Sequence, residues 1–147
     1  MPTRTARTAW NGTLQEGSGQ VELTSSGLGT FEMSFPKRAA DEADGTTSPE
    51  ELIAAAHSAC FAMQLSAAIA EQGGTPQSLE VTADVSLGPD KENGGFKLTG
   101  ITLKVSGEVD GLDAAGFDQA ANFAKANCPV SKALTGVEIT MESTLES

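Results

Sequence analysis

Ser48-Pro49-Glu50-Glu51-Leu52-Ile53-Ala54-Ala55-Ala56-His57-Ser58-Ala59-Cys60-Phe61 is the stretch that decides the fold, and its pattern runs on to Gly73-Gly74. The opening is a helix start. Ser48 can cap free N–H groups, Pro49 suits the first helical position, and Glu51 completes a capping box. From Leu52 to Gln72 nearly every residue is apolar or small. A helix apolar over most of its circumference reads as a buried one. Gly73-Gly74 ends it, with Pro76 just beyond.

Before this helix the chain alternates in short runs. Thr8-Ala9-Trp10 leads into Asn11-Gly12, a two-residue hairpin signal. Residues 20–24 and 31–35 each alternate polar and apolar side chains, so a small antiparallel meander is expected. From Pro36 to Thr47 the pattern stops, and Lys37, Arg38, Asp41, Glu42 and Asp44 read as an exposed charged loop. After the helix, Leu79, Val81, Ala83, Val85 and Leu87 mark a strand over 78–88. Phe96 and Leu98 alternate in one phase, and Ile101, Leu103 and Val105 in the other. The change at Gly100 predicts a β-bulge or bend. Residues 112–127 return to helical spacing, with Phe117, Ala120, Ala121 and Ala124 on one stripe. Cys128-Pro129 breaks that helix, a short helix follows, and Val137, Ile139 and Met141 close with a strand. The expectation is a single α+β domain over residues 1–147, with antiparallel sheets and helices segregated from them.

Composition removes several functions. The 20 Asp+Glu against 9 Lys+Arg give a formal net charge of -11, which repels phosphate backbones, so no nucleic-acid partner is expected. Uninterrupted apolar stretches look short of the ~20 residues that span a bilayer, so no membrane partner is expected. No basic segment followed by an apolar one opens the chain, which points to the cytoplasm. Two widely separated cysteines are not the framework of a small secreted domain and fit a reducing compartment. Aromatics are only 5% and much of the apolar content is Ala, so dimerisation is one way to bury more surface.

Few residues can carry chemistry. Cys60 lies about three turns into the long helix, three residues after the only His, His57, so the two share a face. Free Cys is commonly a small buried hydrophobe, and a mid-helix thiol lacks the N-terminal dipole that lowers its pKa. If Cys60 is reactive, a nearby cation must stabilise its thiolate. Cys128 precedes Pro129 at a helix start, where N–H groups favour a thiolate, so local physics nominates it as the more acidic thiol. His57 suits a hydrogen-bonded core residue, a base or a ligand. One His and two Cys match no short zinc spacing, so no metal is expected. Glu51 is explained by capping, whereas Glu50 has no such assignment. Lys37 and Arg38 are the only cations between Arg7 and Lys91, and either could serve Cys60.

The segment from Ser48 to Phe61 resembles the signature of the OsmC/Ohr family of organic hydroperoxide reductases. Ala126-Asn127-Cys128-Pro129-Val130-Ser131 resembles its second-cysteine motif, and Thr82-Ala83-Asp84-Val85-Ser86-Leu87 and Trp10-Asn11-Gly12 also agree. The likeness runs from about Arg7 to Leu145, and His57 places it nearer the OsmC branch. It implies an intertwined homodimer, with sheets wrapped around central helices and active sites at the subunit interface. It also implies a thiol peroxidase for organic hydroperoxides. In that role Cys60 attacks the peroxide and becomes a sulfenic acid, and Cys128 condenses with it to a disulfide. No bound cofactor is implied; an external lipoyl-type dithiol would restore both thiols. Glu50 matches the family Glu and Arg38 best matches the family Arg, with Lys37 the other candidate cation. His57, Phe61 and Met63 are expected along an apolar substrate pocket. The competing reading is a non-catalytic stress-response, ligand-binding or metal-binding protein on the same fold.

Overall fold

The computed structural model describes residues 1–146. Its contacts group into two compact units, Met1–Leu52 and a second from Ile53 onward.

The first unit is a meander of β1 (Arg7–Asn11), β2 (Ser18–Glu22) and β3 (Thr30–Met33), paired antiparallel in the order β1-β2-β3. Asn11 pairs with Ser18, so Gly12 to Gly17 form a longer loop where a two-residue hairpin was expected. The Gly17 N–H donating to the Thr13 carbonyl at 2.7 Å closes that loop. Gly19 sits under Trp10; a Cβ there would lie 2.7 Å from the indole ring. The expected loop after residue 35 is also corrected. Phe35–Ala39 form a one-turn helix, α1, started by Ser34, whose hydroxyl accepts from the Lys37 N–H at 3.3 Å. Pro36 in its first turn supplies a ready helical φ.

Helix α2, Pro49–Glu71, starts and stops close to where the sequence places it. Ser48 Oγ accepts from the Glu51 N–H at 3.1 Å. The Glu51 carboxylate takes the Thr47 hydroxyl, so the reciprocal half of the capping box is replaced. At the far end Gly73 adopts φ +86, the left-handed conformation that terminates helices at lowest cost on glycine. Gly74 N–H then reaches back to the Ile69 carbonyl at 3.0 Å.

In the second unit β4 (Thr75–Pro89), β5 (Phe96–Asp110) and β6 (Ile139–Glu146) form one sheet in the order β4-β5-β6. β4 and β5 pair antiparallel, with a register shift opposite Ser86 and Leu87 that leaves Thr99 as the extra residue. That is the predicted bulge, one position from Gly100. β6 instead runs parallel to β5, correcting the all-antiparallel expectation. A parallel partner needs a long crossover, which α3 (Ala114–Asn127) and α4 (Pro129–Ala133) supply. The predicted α3 stripe of Phe117, Ala120, Ala121 and Ala124 is the buried one.

These elements enclose the core with one face of α2. Phe61, Leu65, Ala68 and Ile69 pack with Leu103 and Val105 of β5 and with the α3 stripe. The opposite face, with Ala55, Ala56, Ala59, Met63, Ala67 and Ala70, is exposed. The long central helix is therefore buried along one stripe and not around its circumference. By length and composition α2 could cross a bilayer, which corrects the expectation that no stretch is long enough; its packing identifies it as the unit's core helix. Leu103 is fully buried, so Leu103→Ala removes contacts on both the helix and sheet sides. Urea unfolding should report a loss of about 2–5 kcal/mol, and a loss under about 1 kcal/mol would contradict this core.

Candidate active site

In the first unit, α1 delivers Arg38 to Glu50. Arg38 Nε donates to Glu50 Oε1 at 2.9 Å and Arg38 Nη2 donates to Oε2 at 2.8 Å, a two-point fork. Such pairs are stronger and more directional than single contacts. Glu50 is nearly buried at the first turn of α2, with a side-chain exposure of 9% against 34% for Arg38. The hydrogen bond to Glu50 raises the Arg38 pKa, against the opposing effect of burial, so the guanidinium is permanently charged. Lys37 instead pairs with Asp44 at 3.0 Å, and both side chains are well exposed. Of the two candidate cations, only Arg38 is held by the buried carboxylate.

In the second unit the two cysteines meet. Cys60, from α2, and Cys128, at the α3–α4 junction, lie within hydrogen-bonding reach of each other. Both thiols are free; Cys128 is buried and Cys60 half-buried. Burial pushes the Cys60 thiol up, and its hydrogen bond to Cys128 adds to this, while the Val130 N–H pulls the other way. Burial also acts to raise Cys128. There it is outweighed by hydrogen bonds from the Cys60 thiol, the Ser131 N–H and hydroxyl, and the Val130 N–H, and the net shift is downward. Cys128 is the N-cap of α4 without a formal side-chain capping bond; the first-turn N–H groups act on its sulfur as local positive charge.

His57 stands one turn before Cys60 and is fully buried. Its Nε2 lies 2.7 Å from Ser131 Oγ, which is itself 5% exposed. Burial lowers the His57 pKa, so the imidazole is neutral near pH 7. Phe61 is fully buried in the core, whereas Met63 is 72% exposed; the two point to opposite sides of α2 and do not share a pocket wall. Among the described residues no group of three His, Cys, Asp or Glu side chains is placed to hold a metal. Sequence reasoning missed Ser131 as a site residue. Its signal was the spacing Cys128-Pro129-Val130-Ser131, which sets a hydroxyl one helical turn from a capping sulfur. It also missed α1, because a one-turn helix leaves no periodicity.

Residues 41–142 match the family described as OsmC-like protein. Peroxiredoxin OsmC of Escherichia coli is 46% identical over 138 residues, 94% of this chain and 93% of that protein. Organic hydroperoxide resistance protein OhrA of Bacillus subtilis is 40% identical over 106 residues, 70% of this chain and 71% of that protein. Among solved structures, organic hydroperoxide resistance protein OhrB of Bacillus subtilis superposes with a TM-score of 0.71 at 32% identity. That match covers 97% of this chain and 98% of the other.

The His57 environment has a pH signature. Its folded pKa lies below the ordinary 6.5, so between those two values the unfolded chain binds more protons than the folded one. Stability then rises with pH across that window and falls as pH drops below about 6.5. Urea midpoints across pH 7 to 5 should fall more steeply in the native chain than in His57→Gln. Parallel slopes in the two proteins would contradict a neutral buried imidazole.

Proposed function

The chain belongs to the OsmC-like protein family, and on that premise we propose that it is a cysteine-based peroxidase reducing organic hydroperoxides to alcohols. The observation that carries this reading is the pair of free thiols, from α2 and the α3–α4 junction, within reach of each other. A lone buried cysteine is inert packing, but two facing thiols can take up the two oxidising equivalents of a peroxide. The Cys60 sulfur attacks the peroxide O–O bond, the alcohol departs, and Cys60 holds the second oxygen as a sulfenic acid. Cys128 attacks that sulfur, the S–O bond breaks, water leaves, and a Cys60–Cys128 disulfide remains. A dithiol of lipoyl type then exchanges with the disulfide and restores both thiols. No bound cofactor or metal takes part in this cycle.

Cys60 is the attacking thiol because it is the less buried of the two, so peroxide reaches it first. Its raised pKa means that a cation must be brought to it, since an opposite charge at close range outweighs desolvation. The Arg38–Glu50 fork is a preorganised donor of that kind. The exposed α2 face, with Ala55, Ala56, Ala59, Met63 and Ala67, supports a homodimer: small side chains let a second helix approach closely. The same apolar face beside Cys60 favours alkyl over hydrogen peroxide. The protein acts in the cytoplasm as one domain built from both units, with neither nucleic acid nor membrane as partner.

Cys60→Ser should abolish single-turnover peroxide consumption. Cys128→Ser should complete one turnover and stop at a sulfenic acid that a 1,3-dione captures; the opposite pattern would reverse the assignment of the two thiols. Met63→Glu places a charge on the exposed stripe, so sedimentation velocity should show dissociation to monomer at micromolar concentration. An unchanged dimer would remove α2 from the interface.

A further inference from the structure

Ser131 stands beside Cys128 and His57 beside Ser131, two polar residues that the proposed reaction leaves unused. Ser131 stands one turn after Cys128 on α4, as His57 stands one turn before Cys60 on α2, so the two elements present matched pairs. Ser131 Oγ is 2.7 Å from His57 Nε2, and Ser131 lies at the third position of the helix that Cys128 caps, near enough for its hydroxyl and N–H to pull the Cys128 thiol down. Cys128 and His57 are fully buried and Ser131 is 5% exposed. Buried polar groups carry a large desolvation cost unless paired, so a three-member chain here has one sense of donation that costs least.

That sense follows from the far end. His57 Nδ1 is buried and has no hydrogen-bond partner among the described residues. A hydrogen on Nδ1 would be a buried N–H without an acceptor, and Nε2 would then claim the single hydrogen of Ser131. A hydrogen on Nε2 leaves only a bare lone pair at Nδ1 and donates to Ser131 Oγ. The Ser131 hydrogen is then free for the Cys128 sulfur. The tautomer of His57 thus decides whether Cys128 receives a hydrogen bond.

Resting on the assignment of Cys128 as the second, resolving thiol, we propose that His57 and Ser131 are positioning residues for disulfide closure. They form a directed chain, His57 Nε2–H to Ser131 Oγ–H to Cys128 Sγ, that holds the Cys128 sulfur aimed at Cys60. In the step they serve, Cys128 gives up its proton and its sulfur forms the S–S bond as the S–O bond of the Cys60 sulfenic acid breaks. The departing oxygen leaves as hydroxide and takes a proton to become water. Two thiol equivalents are oxidised, one peroxide oxygen is carried away as water, and no further reactant enters.

The test is rapid-quench mass spectrometry of the full-length protein after one equivalent of cumene hydroperoxide, following the lifetime of the Cys60 sulfenic acid. Ser131→Ala should lengthen that lifetime at least about tenfold, the scale of one lost hydrogen bond to a charged group. His57→Leu, which keeps bulk but no N–H, should do the same, and His57→Gln, whose amide N–H can stand near the Nε2 position, should recover much of the rate. A merely structural role predicts no such recovery. Equal lifetimes in Ser131→Ala and the native chain would overturn the chain, as would equal slowing by Leu and Gln at position 57. If His57→Leu fails to fold, Ser131→Ala alone decides. A native chain that forms no Cys60–Cys128 disulfide at all would instead overturn the underlying function.

Discussion

Desolvation of a thiol governs this molecule. Cys60 sits mid-helix and half-buried, beyond the reach of the α2 dipole, and burial holds its proton in place. A peroxidase needs the opposite state, since the thiolate is the nucleophile. The groups around it, and the one candidate cation held by a buried partner, bear on that constraint. Cys128, within hydrogen-bonding reach, is shifted the other way, its thiol pulled down by the Cys60 thiol and the first-turn donors of α4. In the first unit, Arg38 is kept charged and oriented by the nearly buried Glu50 carboxylate. His57 stays neutral, so it supplies no cation to the pair. The two sulfurs are therefore unequal: Cys128 has the lowered pKa and Cys60 the better access.

The acidity of the chain takes on a structural meaning beside this. A net charge of -11 leaves few cations to spend, and Lys37 and Lys104 are committed to solvated pairs with Asp44 and Asp84. Arg38 differs in having a partner that is almost entirely withdrawn from water. A bidentate guanidinium fixes direction as well as charge, which a lysine ammonium cannot do. The abundance of Ala has a similar logic. On α2 it yields a helix that is apolar throughout, yet only one stripe, from His57 to Ile69, is covered. The second stripe is narrow-shouldered and exposed, the form of surface that another helix can approach.

Much of this was legible in the sequence where a pattern repeats. The ends of α2, the buried stripe of α3 and the bulge near Gly100 all rest on periodicity or on Ser, Pro and Gly signals, which are local. The junction at Cys128-Pro129 was legible for the same reason, and with it the lowered pKa of Cys128. What escaped was non-local. The parallel pairing of β6 depends on where a crossover delivers it, not on its own alternation. Helix α1 is too short to show a period, so Arg38 read as one of two loop cations until its fork with Glu50 was seen. The one-sided burial of α2 could not be read from composition, because an apolar residue looks the same whether its own chain or another covers it. Ser131 became significant only through His57, which is 74 positions away in sequence.

In the proposed cycle Cys60 and Cys128 act as one redox unit. Intact mass and peptide mapping of the reduced protein after one equivalent of an organic hydroperoxide test it most directly. The protein should lose two hydrogen atoms per chain and yield a single peptide pair linked through Cys60 and Cys128. Oxygen atoms added to Cys60 with no link to Cys128, or two thiols that stay reduced, would contradict it.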